Sequence, residues 1–257
     1  MSAPVAVISG GAGGLGRALS AALRSEDWQV VLLDRDISGL GDMPGQQAIA
    51  CDLTDPAQLK RACAQVIATH PHIDLVIYNA GVTQIGPFEA LGEPAHRRVF
   101  EINYFAAVAM AREFLLPLRA SGGTHLAISS VAGFSPLYHR TAYAASKHAL
   151  GGFFSSLRSE EARHGVRVQI AAPSFVATNI GQAERQDDGI ARPGSATDGV
   201  DYMTPEAAAR VILRGVKRKT PMIPVGRIAR ASWYIHRLSP RLFQRLMERR
   251  IGTTDAP

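Results

Sequence analysis

Short, uninterrupted apolar runs alternate with helix-length segments along most of this chain, and that alternation narrows its fold more than any other feature. Val5–Ser9, Gln29–Leu33, Gln47–Cys51, Ile73–Tyr78, His125–Ser129 and Val166–Ala171 read as strands. Between them, helical patterns run near Arg17–Ser25, Pro56–Thr69, Pro94–Leu118 and Ala142–His164. Strands that are apolar throughout are covered on both faces. Strands separated by helices imply a parallel sheet with right-handed crossovers. The expectation is an α/β fold, a doubly wound parallel sheet in three α/β/α layers forming a single domain. With 46% hydrophobic and 19% charged residues, global disorder is excluded. No apolar stretch approaches the ~20 residues of a membrane span. Met1–Pro4 leads straight into the first strand, so no secretory signal is expected. Two cysteines, Cys51 and Cys63, give neither a disulfide framework nor metal-ligand company. A reducing cytoplasm is the expected compartment, and no metal site is expected.

Between the first strand and first helix stands Ser9-Gly10-Gly11-Ala12-Gly13-Gly14-Leu15-Gly16-Arg17. Glycines there allow a tight turn and close approach of main chain to a pyrophosphate, and the helix N-terminus offers unpaired N–H groups to it. Two spacings fit, Gly11-x-Gly13-x-x-Gly16 and Gly10-x-x-x-Gly14-x-Gly16. A structural turn is the bland alternative. Asp34 ends the second strand eighteen residues beyond Gly16, where an acid binds an adenosine ribose. That carboxylate accepts from ribose hydroxyls and repels a 2′-phosphate, which favours NAD over NADP. Arg35 follows, either to pair with such a phosphate or to stay solvated or stack on the adenine.

Tyr143 and Lys147 are four residues apart in Tyr143-Ala144-Ala145-Ser146-Lys147 and share a helix face. A nearby ammonium favours phenolate, so Tyr143 is expected to have a lowered pKa and to serve as general acid or base for an alcohol/ketone pair. Tyr-x-x-x-Lys alone is common on structural helices, and the remaining motifs decide.

Together these residues resemble the short-chain dehydrogenase/reductase family over about residues 4–180, with its Rossmann-like fold. Gly10, Gly14, Leu15 and Gly16 fall in a loop similar to the family's cofactor loop, with Ser9 where Thr is commoner. Asp52-Leu53 resembles its adenine-contacting pair, and Asn79-Ala80-Gly81 its motif after the fourth strand. Asn103 resembles the helix asparagine of its proton relay. Ser130 stands thirteen residues before Tyr143, the family spacing for the catalytic serine, although the residue pattern alone leaves Ser129 open. The resemblance implies that Ser130 stabilises the substrate oxygen and Tyr143 exchanges its proton. It also implies that Lys147 lowers the Tyr143 pKa and holds the nicotinamide ribose, while Asn103 positions a water. Pro173, Val176 and Thr178 correspond to the segment reaching the nicotinamide; Ser174 replaces the family's usual Gly. His139 reads as a surface-loop residue.

Two regions depart from the pattern. Residues 179–204 are polar and Gly-rich, as expected of a substrate loop or lid. Thr204-Pro205-Glu206 then signals a helix start, and Ser239-Pro240 another near 240–250. The family's Gly-rich tetramer-forming end is missing. The catalytic domain is expected over 1–225, its last strand near Pro221–Val225, followed by a basic amphipathic helical tail over 226–257. The net charge of +6 resolves into +11 over residues 210–251 and −5 elsewhere. Ala231, Ile235, Leu238, Leu242 and Leu246 recur at helical steps, with Arg237, Arg241, Arg245 and Arg249 every four residues on a neighbouring face. Such a tail packs on the domain or another subunit, or rests on anionic lipid through 227–250. Nucleic acid is not an expected partner, because no recognised motif accompanies the charge. The expectation is an NAD-dependent oxidoreductase of a lipophilic secondary alcohol or ketone, as a homodimer or higher homo-oligomer. Its rivals are an NADPH-dependent carbonyl reductase and a non-catalytic dinucleotide sensor or scaffold.

Overall fold

The expected apolar runs form the strands of a seven-stranded parallel sheet in a computed structural model that describes residues 2–41, 43–178, 189–191 and 202–251. In chain order the first half comprises β1 (Val5–Ser9), α1 (Gly14–Arg24), β2 (Gln29–Asp34), β3 (Gln46–Ala50), α2 (Pro56–Thr69), β4 (Leu75–Tyr78) and β5 (Thr83–Gln84). Next come α3 (Glu93–Phe100), α4 (Ala106–Glu113), α5 (Leu115–Ser121), β6 (Thr124–Ile128) and α6 (Thr141–Glu161). The chain continues through β7 (Arg167–Pro173), β8 (Ile190–Ala191), α7 (Pro205–Lys217), β9 (Met222–Val225), α8 (Arg227–Leu238) and α9 (Pro240–Ile251). The main sheet runs β3-β2-β1-β4-β6-β7-β9 with every pair parallel.

Successive residues of one strand enter different cores, which explains why the runs are apolar without alternation. Val5 and Val7 of β1 pack with α2, α4 and α6 through residues such as Leu59, Met110 and Phe154. Ala6 and Ile8 pack on the opposite face with α1 and α7 through Leu19 and Ile212. Strand order reverses between β1 and β4, so the connections that follow them leave to opposite faces of the sheet and a crevice opens outside their C-terminal ends.

Several elements differ from expectation. The first helix begins at Gly14, a turn earlier than Arg17, because Gly13 already serves as its N-cap. The segment expected as one helix over Pro94–Leu118 is divided. A π-helical turn, Glu101–Phe105, separates α3 from α4. Pro117 lacks an N–H and its ring would collide with the Glu113 carbonyl, so the helix breaks at Phe114 before α5. The expected loop over 179–204 lies mostly outside the described residues. Within it, however, Ile190–Ala191 is a buried strand, antiparallel to β5, and Ile190 packs with Val82 and Val99.

The tail divides where Ser239-Pro240 signals a new helix. Ser239 is extended (ψ 90°), as the residue before Pro240 must be, so the arginine series does not follow one helix: Arg237 lies on α8 and Arg241 and Arg245 on α9. Both start signals hold, since Thr204 Oγ1 accepts from Ala207 N at 3.2 Å and Ser239 Oγ from Leu242 N at 3.3 Å.

Candidate active site

The crevice at the ends of β1 and β4 is lined by the glycine loop. Gly10 has φ 67°, and a Cβ there would stand 2.8 Å from Ala80 Cα, so only glycine allows the two strand ends to meet. Asn79 fastens them, its Nδ2 donating to Ser9 O (3.1 Å) and Gly10 O (2.9 Å). Asp34 Oδ2 accepts from Ala12 N at 2.9 Å and so holds the loop from the neighbouring strand. Gly16 packs against Gly10 and Gly11, where a side chain has no room. Gly14 lies under Thr178, whose carbonyl would be 2.7 Å from a Cβ. The start of α1 carries no side-chain cap and no acid in its first turn, so its N–H groups and dipole face the crevice uncompensated.

That donor set suits the pyrophosphate of a dinucleotide. Leu15 and Val176 lie in the core on the α1 side of the sheet. Asp52 is held in its turn by Thr54, whose N–H and hydroxyl both donate to Oδ1 (2.9 and 2.7 Å) and lower the carboxyl pKa. Leu53 packs on the opposite core. Arg35 is exposed at the end of β2, within electrostatic range of Asp52. Pro173 ends β7, and Ser174, in place of the usual Gly, donates its N–H to Val225 O at 3.1 Å.

Beside the crevice, β6 leads into Ser129 and Ser130, and α6 brings in Tyr143 and Lys147. Ser130 Oγ accepts from Ala132 N at 3.2 Å, and its hydroxyl is hydrogen-bonded to the Tyr143 phenol. Ser129 Oγ instead points to Lys147 O at 3.4 Å, inside the packing between β6 and α6. The side chains thus separate the two serines that sequence left open. Lys147 Nζ donates to Ile128 O at 2.9 Å and lies 5.9 Å from the centre of the Tyr143 ring.

The ionisation of these two groups departs from the sequence expectation. Burial pushes Tyr143 above the ordinary phenol value; the Ser130 hydrogen bond and then Arg140 offset part of the rise. Burial also lowers Lys147 to about 8. Burial of the phenol is the dominant influence on Tyr143, and Lys147 is not among the groups that act on it.

Asn103 sits in the π turn, 1% exposed. Its Oδ1 accepts from Val82 N (2.8 Å), and its Nδ2 donates to Val82 O and Ser146 Oγ (both 2.9 Å). The side chain is therefore committed to fixing the segment after Gly81 against α6.

Sequence reasoning missed a further wall. Helix α8 packs on the turn Val131–Gly133 that follows Ser130, and Trp233 meets Phe134 edge to face at 5.0 Å. Arg140, one residue before α6, also acts on Tyr143 electrostatically. The amphipathic tail and Phe134 were visible in sequence, but nothing local joined them. His139 is partly buried with φ 53°, stacked on Tyr138, and its carbonyl accepts from Gly86 N at 3.0 Å. Among the described residues no cluster of metal-type ligands occurs.

Comparison with known proteins agrees with this architecture. The short chain dehydrogenase family model matches residues 4–189. The chain is 31% identical to the Bos taurus dehydrogenase/reductase SDR family member 7B, over 96% of this chain and 81% of that protein. A Drosophila melanogaster relative, dehydrogenase/reductase SDR family protein 7-like, is 28% identical over 96% and 80%. Among solved structures, a Burkholderia cenocepacia short chain dehydrogenase in complex with NADP superposes with TM-score 0.84 at 24% identity, over 96% of this chain and 98% of that one. A Streptomyces avermitilis short-chain dehydrogenase superposes with TM-score 0.80 at 25% identity, over 99% and 100%. The matched model covers most of the chain: this protein belongs to the short chain dehydrogenase family.

Proposed function

We propose that the protein is an NAD-dependent oxidoreductase acting on a lipophilic secondary alcohol or its ketone. The observation that carries this reading is the Ser130 hydroxyl joined to the Tyr143 phenol beside a buried Lys147. A bound nicotinamide supplies the hydride donor or acceptor. Ser130 would donate to the substrate oxygen and stabilise charge developing there. Tyr143, kept protonated at neutral pH by its burial, would give its proton to that oxygen during ketone reduction and take it back during oxidation. Lys147 would hold the nicotinamide ribose, and Asn103 would support the segment 81–82 and a water path from Lys147 to solvent. Gly10, Gly14, Leu15 and Gly16 would present main chain to the pyrophosphate, with Asp34 on the adenosine ribose. Asp52, Leu53, Asn79, Ala80 and Gly81 would border the adenine and nicotinamide halves, and Pro173, Val176 and Thr178 the carboxamide.

Asp34 supports NAD over NADP, because a carboxylate repels a 2′-phosphate. The exposed Arg35 is the feature that favours the rival NADPH reading. Phe134, Leu137, Phe175 and Trp233 support an apolar substrate. Free, buried Cys51 and Cys63 suit a reducing cytoplasm, and a homo-oligomer is part of the proposal. Fluorescence titration with NADH and NADPH, followed by a screen of secondary alcohols and ketones, tests the reading. Tighter NADH binding and turnover are expected. A clear NADPH preference overturns the cofactor assignment, and binding without turnover of any substrate favours the sensor alternative.

A further inference from the structure

Helix α9 packs chiefly on α8. Its inward side carries Phe243, which meets His236 of α8 edge to face at 5.4 Å, and the partly buried Met247. The adjoining flank of the helix carries Leu242 and Leu246, 48% and 45% exposed, one turn apart. On α8 the outward side continues this apolar strip with Tyr234, 60% exposed, and Leu238, 85% exposed. Large side chains this exposed on adjoining helices mark a contact surface.

Arginines flank the strip on both helices. Arg227, Arg230, Arg237, Arg241 and Arg245 are all exposed. Arg237 lies over the Trp233 ring at 4.8 Å, and among the described residues the other four have no ion-pair partner. An apolar strip bordered by exposed arginines fits the interface of a bilayer with anionic headgroups, leucines entering the acyl boundary and arginines meeting phosphates. A second copy docked by two-fold symmetry on this face would set the same arginines against each other, which charge repulsion opposes. No helix among the described residues is long and apolar enough to cross a membrane. A helix of twelve residues, ~18 Å long, would lie in the interface plane.

We propose that the exposed face of the α8–α9 hairpin docks this protein onto an anionic lipid surface. The position of α8 gives the docking a consequence. The same helix packs on the turn after Ser130 and places Trp233 on Phe134, so the bound face adjoins the substrate side of the site. That consequence rests on the proposed oxidoreductase reading, whereas the docking does not.

Flotation of the full chain with phosphatidylcholine vesicles, with and without phosphatidylserine, tests the proposal without cofactor or substrate. Failure here therefore leaves the catalytic reading intact, and loss of turnover leaves the docking intact. Binding to the anionic vesicles is expected, with weak binding to pure phosphatidylcholine and release at high salt. Leu242→Glu with Leu246→Glu should abolish flotation while keeping the wild-type thermal midpoint. Arg241→Gln with Arg245→Gln should weaken partition about thirtyfold, as expected for two lost arginine contacts with an anionic surface. No flotation by the intact chain, equal flotation with both vesicle types, or unchanged flotation of both variants would overturn it. So would a dimer in light scattering that the leucine variant dissociates, which assigns the face to a second copy.

Discussion

At the scale of single residues, Gly81 sets how closely the site can assemble. A Cβ at that position would lie 3.2 Å from Asn103 Oδ1 and 3.4 Å from Lys147 Nζ, so a side chain would push against both groups at once. Gly81→Ala is expected to leave folding intact and to lower kcat/KM about tenfold, since small misplacements of catalytic groups are costly. The paired serines give a sharper contrast. Ser130→Ala should lower kcat by about two orders of magnitude through loss of a charge-stabilising donor. Ser129→Ala should leave kcat within a few-fold of wild type, because that hydroxyl faces Lys147 O inside the protein. Steady-state rates of the two variants side by side check this; equal losses would contradict the assignment. The motif residues themselves were legible in sequence. Their ionisation was not, because the Tyr143 pKa depends on packing density around the phenol, which no spacing encodes.

Among elements, the junction of β9 with α8 joins the segment after β7 to the C-terminal hairpin. Gly226 there has φ 101°, and a Cβ would come 2.6 Å from Ser174 Oγ. The serine that departs from the family pattern is thus accommodated by a glycine far along the chain. Gly226→Ala should destabilise the protein by about 1–3 kcal/mol from the strained backbone. Adding Ser174→Gly should restore part of that loss, because it removes the collision but not the unfavourable φ. Urea denaturation of the single and double variants measures the coupling; strict additivity would show that the contact is unimportant.

This is also the scale at which sequence reading stopped short. Apolar periodicity located the long strands and helices, but it passes over the break before Pro117. A five-residue π turn leaves that periodicity almost unchanged, and two-residue strands such as β5 and β8 leave no pattern. The docking of α8 depends on Trp233 and Phe134 meeting from distant parts of the chain.

Across the whole molecule, the core facing α2, α4 and α6 contains a polar pair that links stability to pH. Tyr78 of β4 and His125 of β6 are hydrogen-bonded at 2.6 Å between hydroxyl and Nδ1, and His125 is 0% exposed. Burial lowers His125 from its ordinary value to about 4, and Glu161 offsets only part of that. The unfolded chain therefore protonates His125 near its ordinary value while the folded chain does not. Stability from this group is complete above that value and falls as pH drops towards about 4. The loss is on the order of 3 kcal/mol across the window. Urea midpoints at neutral and acid pH should show the decline in wild type and a shallower one in His125→Gln, which retains an acceptor for Tyr78. Parallel slopes in the two proteins would contradict the role given to His125. The same sheet that encloses this pair delivers Ser130, Tyr143 and Lys147 to one crevice, and the catalytic account stands on that delivery. Its most direct test is ketone-dependent oxidation of NADH by wild type and Tyr143→Phe, with NADH affinity measured for both. The account predicts turnover by wild type and a loss of at least about a hundredfold in kcat for the variant at similar NADH affinity; an undiminished rate in Tyr143→Phe would contradict it.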